Sequence, residues 1–147
     1  MMSLPVSCLT LIACKSSKSK DSSLPAIKRF TPAEASRTLP LVKKIVEDII
    51  EIGHKVREMY DNGIPQPEID RKTHEITNLL DELKEIGCEY KDWSFDIGLI
   101  DFPSIINGRD VYLCWKSDEP SLIYYHGIHE GFAGRKKIPE ELLKEND

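Results

Sequence analysis

Positive charge is what this chain is short of: 20 lysines and arginines stand against 25 acids, for a formal net charge of −5. A surface that binds nucleic acid or anionic membrane in a general way needs clustered cations to release counterions, so neither partner is expected. Long apolar runs are also lacking. No stretch approaches the roughly 20 residues that a membrane-spanning helix requires, and the folded protein is expected to be soluble. Cysteine is scarce and scattered, at Cys8, Cys14, Cys88 and Cys114, with no C-x-x-C spacing. That excludes a disulfide framework and a zinc ribbon, and it suits a reducing compartment. His126-x-x-His129-Glu130 matches neither HExxH nor HxxEH, which removes the metalloprotease reading.

Acids are nearly missing from the first 26 residues, which are serine-rich and carry a short apolar run through Leu9 to Ala13. Residues 1–26 therefore read as a disordered leader or targeting peptide, outside the fold. Leu11-Ile12-Ala13-Cys14 has the shape of a bacterial lipoprotein site lipidated at Cys14, although a secretion signal wants positive charge ahead of its apolar run. An acid-poor, Ser-rich leader also resembles a plastid transit peptide. The expected location is the plastid if the leader is such a peptide and the cytoplasm otherwise, with the lipoprotein as alternative. A misplaced start codon gives a third account.

Residues 27–147 read as a single α+β domain. Thr31-Pro32-Ala33-Glu34 is a helix start: Thr31 caps the free amides, Pro32 suits the first helical position and Glu34 completes a capping box. Apolar residues then recur at the 4-3 spacing of a coiled-coil seam, from Ala35, Leu39, Val42, Val46 and Ile49 to Val56 and Tyr60, with Gly53 as the gap. Asn62-Gly63 stops this helix, and a second runs from about Pro67 to Ile86, ending at Gly87. Together they predict an antiparallel helical hairpin over about 32–86, with a kink at Pro40. The first helix outruns the second, and its overhanging stripe predicts a homodimer through that helix. His54, His74 and the acids Glu47, Asp48 and Glu51 read as solvated helix-face residues.

After Gly87 the period falls toward two, so the region 88–126 reads as a small antiparallel sheet and 127–147 as a C-terminal loop and tail. Strands are expected over Ile97 to Phe102, Asp110 to Trp115 and Leu122 to His126, broken by Pro103, Asn107-Gly108 and the loop Ser117 to Ser121. Pro103 is expected to end its strand or force a bulge.

Three runs, PAEASRTLPLV, GLIDFPSIINGRDVYLCW and YYHGIHEGFAGR, resemble the proteins catalogued as domain of unknown function 2203, over roughly Phe30 to Ile138. The resemblance carries no activity with it. Two departures stand out: Tyr125 where members usually have tryptophan, and Lys136 where glutamine is common. Asp101, Cys114, His126 and Arg135 keep the family pattern, whereas His129 matches no family position.

Asn107-Gly108 is the dipeptide preferred in two-residue type I′ hairpins, which places Ile106 opposite Arg109 and Asp101 opposite Cys114. A five-residue second loop then pairs Cys114 with Tyr124 and Tyr112 with His126. One face carries Ile100, Phe102, Val111, Leu113, Trp115, Ile123 and Tyr125 for the helices to cover. The other carries Asp101, Tyr112, Cys114, Tyr124 and His126, with Arg135 brought near by the Gly-rich turn.

Two chemistries fit that second face. Cys114, His126 and Asp101, with Glu130 or His129 as a fourth, are donors for a divalent metal such as zinc. His126 and Arg135 can instead hold a small anionic ligand, with Asp101 and Cys114 shaping a polar pocket around it. Gly131-Phe132-Ala133-Gly134 followed by Arg135, Lys136 and Lys137 fits an anion-binding turn, and equally a plain turn. No complete catalytic motif is present. The sequence therefore reads as a non-catalytic interaction or regulatory module with a small polar ligand pocket; a metal- or thiol-dependent enzyme using Asp101, Cys114 and His126 is the alternative.

Overall fold

The computed structural model describes residues 28–92 and 94–144. The expected leader, with Cys8 and Cys14, lies outside the described residues. Helix α1 spans Pro32–Asp61 and helix α2 Gln66–Ile86. The capping box forms at Thr31: its hydroxyl accepts from the Glu34 amide at 3.0 Å, and its own N–H donates to Glu34 Oε1 at 2.8 Å. Pro40 lies inside α1 at an exposed position, and the helix continues through it. Gly87, at φ +113°, closes α2 in the left-handed conformation that glycine tolerates.

Strands β1 (Glu89–Tyr90), β2 (Leu99–Ile106), β3 (Arg109–Lys116), β4 (Tyr124–Gly127) and β5 (Lys136–Lys137) form one five-stranded sheet in that order, antiparallel throughout. Phe132–Gly134 is a short 3₁₀ turn, and α3 covers Glu140–Leu143. Asn107 and Gly108 both have positive φ, 54° and 78°, as a type I′ turn demands. Ile106 pairs with Arg109 and Asp101 with Cys114; across the longer loop, Cys114 pairs with Tyr124 and Tyr112 with His126.

Pro103 corrects one expectation. The strand neither ends nor bulges there, and Pro103 sits in register opposite Tyr112. Its carbonyl points to the outer edge of β2 and accepts the Phe30 N–H at 2.8 Å. The N–H that proline lacks would have pointed to the same edge, beyond the reach of β1, so no ladder bond to β3 is lost. The third expected strand begins at Tyr124 and not at Leu122, because pairing with β3 ends at Cys114 opposite Tyr124 and the chain beyond that pair belongs to the loop.

The core lies between the helices and one face of the sheet. Ile100, Phe102, Leu113 and Trp115 meet Leu39, Val42, Val46 and Ile49 of α1 and Ile76 and Leu83 of α2. The apolar stripe of α1 from Ala35 to Ile49 is buried within the chain against α2 and the sheet, whereas Tyr60 at its far end stays exposed. Gly53 is the gap in that stripe for a steric reason: a Cβ there would stand 2.7 Å from the Phe95 Cβ. Among the described residues, no helix is long and apolar enough to cross a membrane.

Candidate metal centre

The far face of the sheet is where the chemically able side chains meet. Pairing runs Glu89 to Asp101 to Cys114 to Tyr124 across four strands, and Tyr112 to His126 one row along. Alternation on each strand turns Asp101, Cys114 and His126 to the same side. Each comes from a different strand of one hydrogen-bonded ladder, so the backbone positions are rigidly set. One ligand atom from each residue lies within 4.8 Å of the other two. All three residues are buried, at 5%, 1% and 4% exposure in the order Asp101, Cys114, His126.

The imidazole is oriented from behind. His126 Nδ1 lies 2.8 Å from the carbonyl oxygen of Gly127. A carbonyl can only accept, so Nδ1 carries the proton and Nε2 turns inward, 3.3 Å from Asp101 Oδ1. This is the arrangement by which metal-binding histidines present Nε2. Burial pushes the Asp101 carboxyl above its ordinary pKa, against the opposing pull of His126 and of the hydrogen bond from Cys114. Burial pushes the Cys114 thiol up to about 12, aided by the Asp101 charge and opposed by Arg135.

Arg135 is placed beside Cys114, as expected, but its guanidinium is already engaged. It lies 4.2 Å from the centre of the Tyr124 ring and 4.1 Å from that of Phe132, stacked between them. Nη1 stands 2.8 Å from Glu119 Oε2, though its N–H bonds do not point along that line, so the contact is an ion pair without a directed hydrogen bond. In the sequence Glu119 reads only as part of the loop Ser117 to Ser121. It does shape the turn, accepting the Lys116 N–H at 2.9 Å, and it also holds Arg135. Nothing in the local pattern distinguishes that second role, because the two are brought together by β4 and the turn after it. Phe132 was missed for the same reason.

Glu130 is not brought to the three. Its carboxylate accepts the Gly127 N–H at 2.8 Å and pairs with Lys136 at 3.1 Å. That backbone bond, followed by Lys136, holds its carboxyl below the ordinary range. His129 is exposed. The Gly-rich turn acquires a steric explanation in the process: a Cβ on Gly134 would stand 2.8 Å from the Glu130 Cβ, so glycine admits the folded-back glutamate.

Two bonds of about 2.05 Å at a tetrahedral angle put their donor atoms about 3.3 Å apart, and a sulfur at about 2.3 Å stands about 3.6 Å from such a donor. The His126 to Asp101 separation of 3.3 Å already has that value. Closing the set needs at most a rotamer-scale adjustment of Cys114, since no separation exceeds 4.8 Å. The residues fit a tetrahedral ion with three protein donors and one further position.

No curated protein and no solved structure matches the chain. A family model does, over residues 28–138, which takes in all three of the converging side chains and Arg135. The chain belongs to the family described as "Uncharacterized conserved protein (DUF2203)".

Proposed function

We propose that this chain is a metal-binding protein in which Asp101, Cys114 and His126 hold one divalent ion of the zinc class, in a structural or regulatory role. The observation that carries the reading is the convergence of a carboxylate, a thiol and an imidazole within 4.8 Å, all buried, from three neighbouring strands. Charge supports it. A divalent cation with one thiolate, one carboxylate and one neutral imidazole leaves no net charge in the interior, whereas a buried carboxylate alone is costly. Donor softness supports zinc, cobalt or copper over magnesium or calcium, which prefer oxygen.

The thiol-enzyme alternative has less behind it. A thiol pushed up to about 12 is almost wholly protonated at neutral pH and is a poor nucleophile. Burial of the donors also supports binding over turnover, since a substrate would need access to the fourth position. An anion at Arg135 is disfavoured by the stacking and ion pair that already occupy the guanidinium. A second reading keeps a specific observation: with a further proton between His126 Nε2 and the Asp101 carboxyl, their 3.3 Å separation is a long hydrogen bond, and the cluster would then be a polar network that fixes strand register. Homodimerisation through α1 would fall to Leu41 and Tyr60, the large apolar residues that this helix leaves exposed.

Elemental analysis of protein purified without a histidine tag tests the reading, alongside Cys114→Ala and His126→Ala. Near-stoichiometric metal lost in both variants is expected. Metal-free wild type that also fails to take up added zinc would leave the polar-network reading.

A further inference from the structure

A groove of about 670 Å³ runs along the outer edge of β2, where β1 stops after pairing with Asp101 and Ile100. Neither the three donors nor Arg135 line it. Its volume is within the range of small-molecule sites. We infer that this groove binds a small monoanionic ligand with a flat apolar body, such as an aromatic carboxylate or sulfonate, and the inference stands independently of any metal.

The body has an apolar bed. Pro103 and Tyr112, paired across β2 and β3, form one wall with Ile128 at its lip. Ile128 is 42% exposed, an apolar side chain left facing water at the margin of a concave surface. Ser104 also borders the groove; it is 1% exposed, and its hydroxyl has no hydrogen-bond partner in the protein. By strand alternation Ser104 turns to the face opposite Pro103, so its hydroxyl lies behind the groove and is not a contact for its ligand.

The charge of the rim selects an anion. Arg29 is committed to Asp110 at 2.9 Å, and Glu89 to Lys91 at 2.7 Å. The lining itself balances three cations against three acids, and it is Lys91, outside the lining but paired with Glu89, that leaves Lys28 and Lys84 against Glu85, a surplus of one positive charge. Lys84, in the last turn of α2, lines the same groove as Tyr112, so one acidic group would meet it while the ring lies on Tyr112. A dianion or a cation finds no matching balance.

Fluorescence titration of the full chain with 8-anilinonaphthalene-1-sulfonate tests this, because the probe is aromatic, carries one negative charge and brightens on leaving water. Saturable binding of one probe per chain is expected. Lys84→Glu, an exposed helix position, should weaken it about tenfold, the effect of losing a charge-assisted contact and gaining a repulsion. Lys44→Glu, remote on α1, should leave it unchanged. The uncharged analogue N-phenyl-1-naphthylamine should bind about tenfold more weakly than the sulfonate and ignore the Lys84 change. Amide shifts induced by the sulfonate should centre on Lys84, Tyr112 and Ile128. Equal binding of charged and neutral probes, no effect of Lys84→Glu, or shifts centred elsewhere would each overturn the inference.

Discussion

Removing one buried thiol, by Cys88→Ala, should flatten the alkaline loss of stability. Cys88 and Cys114 are 2% and 1% exposed, and burial raises each thiol from 9.0 to about 12. Cys88 makes a weak polar contact, its sulfur 3.6 Å from the Leu83 carbonyl oxygen, and burial outweighs the hydrogen bond from its own backbone. Both thiols keep their protons in the folded chain after the unfolded chain has begun to lose them. Stability is therefore fully present below about pH 9 and falls as pH rises from there toward about 12. At about pH 10, one unit above the unfolded value, each thiol costs about 1.4 kcal/mol relative to neutral pH. That figure hardly changes if the folded pKa is a full unit lower, because the unfolded state sets it. Urea unfolding followed by circular dichroism, with reductant and chelator at constant ionic strength, should show the metal-free wild type losing about 3 kcal/mol between about pH 8 and about pH 10 through these two groups. Cys88→Ala should lose about half as much, whatever its stability at pH 8. Tyrosine and lysine titrations are common to both proteins and cancel. An unchanged pH slope in Cys88→Ala would refute the reasoning.

Other substitutions probe the frame that carries the site. Thr31→Ala removes the hydroxyl that accepts from Glu34 at 3.0 Å and should cost about 1 kcal/mol in the same unfolding assay. Gly53→Ala opposes two effects: helix propensity favours alanine by about 1 kcal/mol, while a Cβ at 2.7 Å from Phe95 costs about 1–3 kcal/mol. Net destabilisation is expected, and a more stable variant would mean that Phe95 moves freely. Because the α1 stripe from Ala35 to Ile49 is buried within the chain and only Leu41 and Tyr60 are left as large exposed apolar residues of that helix, light scattering at about 100 μM should find a monomer, and a dimer abolished by Leu41→Glu would show that the exposed residues suffice.

The convergence of Asp101, Cys114 and His126 was legible because each step leading to it is local. Asn107-Gly108 selects a turn type, the turn fixes Asp101 opposite Cys114, and strand alternation does the rest. Helix ends were legible on the same ground, through Thr31, Glu34 and Gly87. What stayed hidden depends on which edge or neighbour a residue meets. Pro103 looks like a strand breaker until β1 proves too short to face it. Two-residue strands such as β1 and β5 carry no period to read. Glu130 is placed beside a histidine pair in the sequence, yet a backbone N–H three residues back is nearer than any metal position and takes it. Glu119 and Arg135 are 2.8 Å apart across a separation that no local pattern spans. The groove along β2 owes its existence to a missing stretch of edge pairing, and that too is a property of the assembled sheet.

Cobalt(II) titration of the metal-free chain is the most direct test of the central claim, since the ion takes the same donors as zinc and reports them by colour. Coordination by Asp101, Cys114 and His126 predicts one equivalent bound, a near-ultraviolet sulfur-to-cobalt charge-transfer band and the intense visible bands of a tetrahedral site. Cys114→Ser should lose the charge-transfer band, and zinc should bleach the wild-type spectrum. A titration that leaves only the pale spectrum of hydrated cobalt, with the chain folded throughout, would contradict the account.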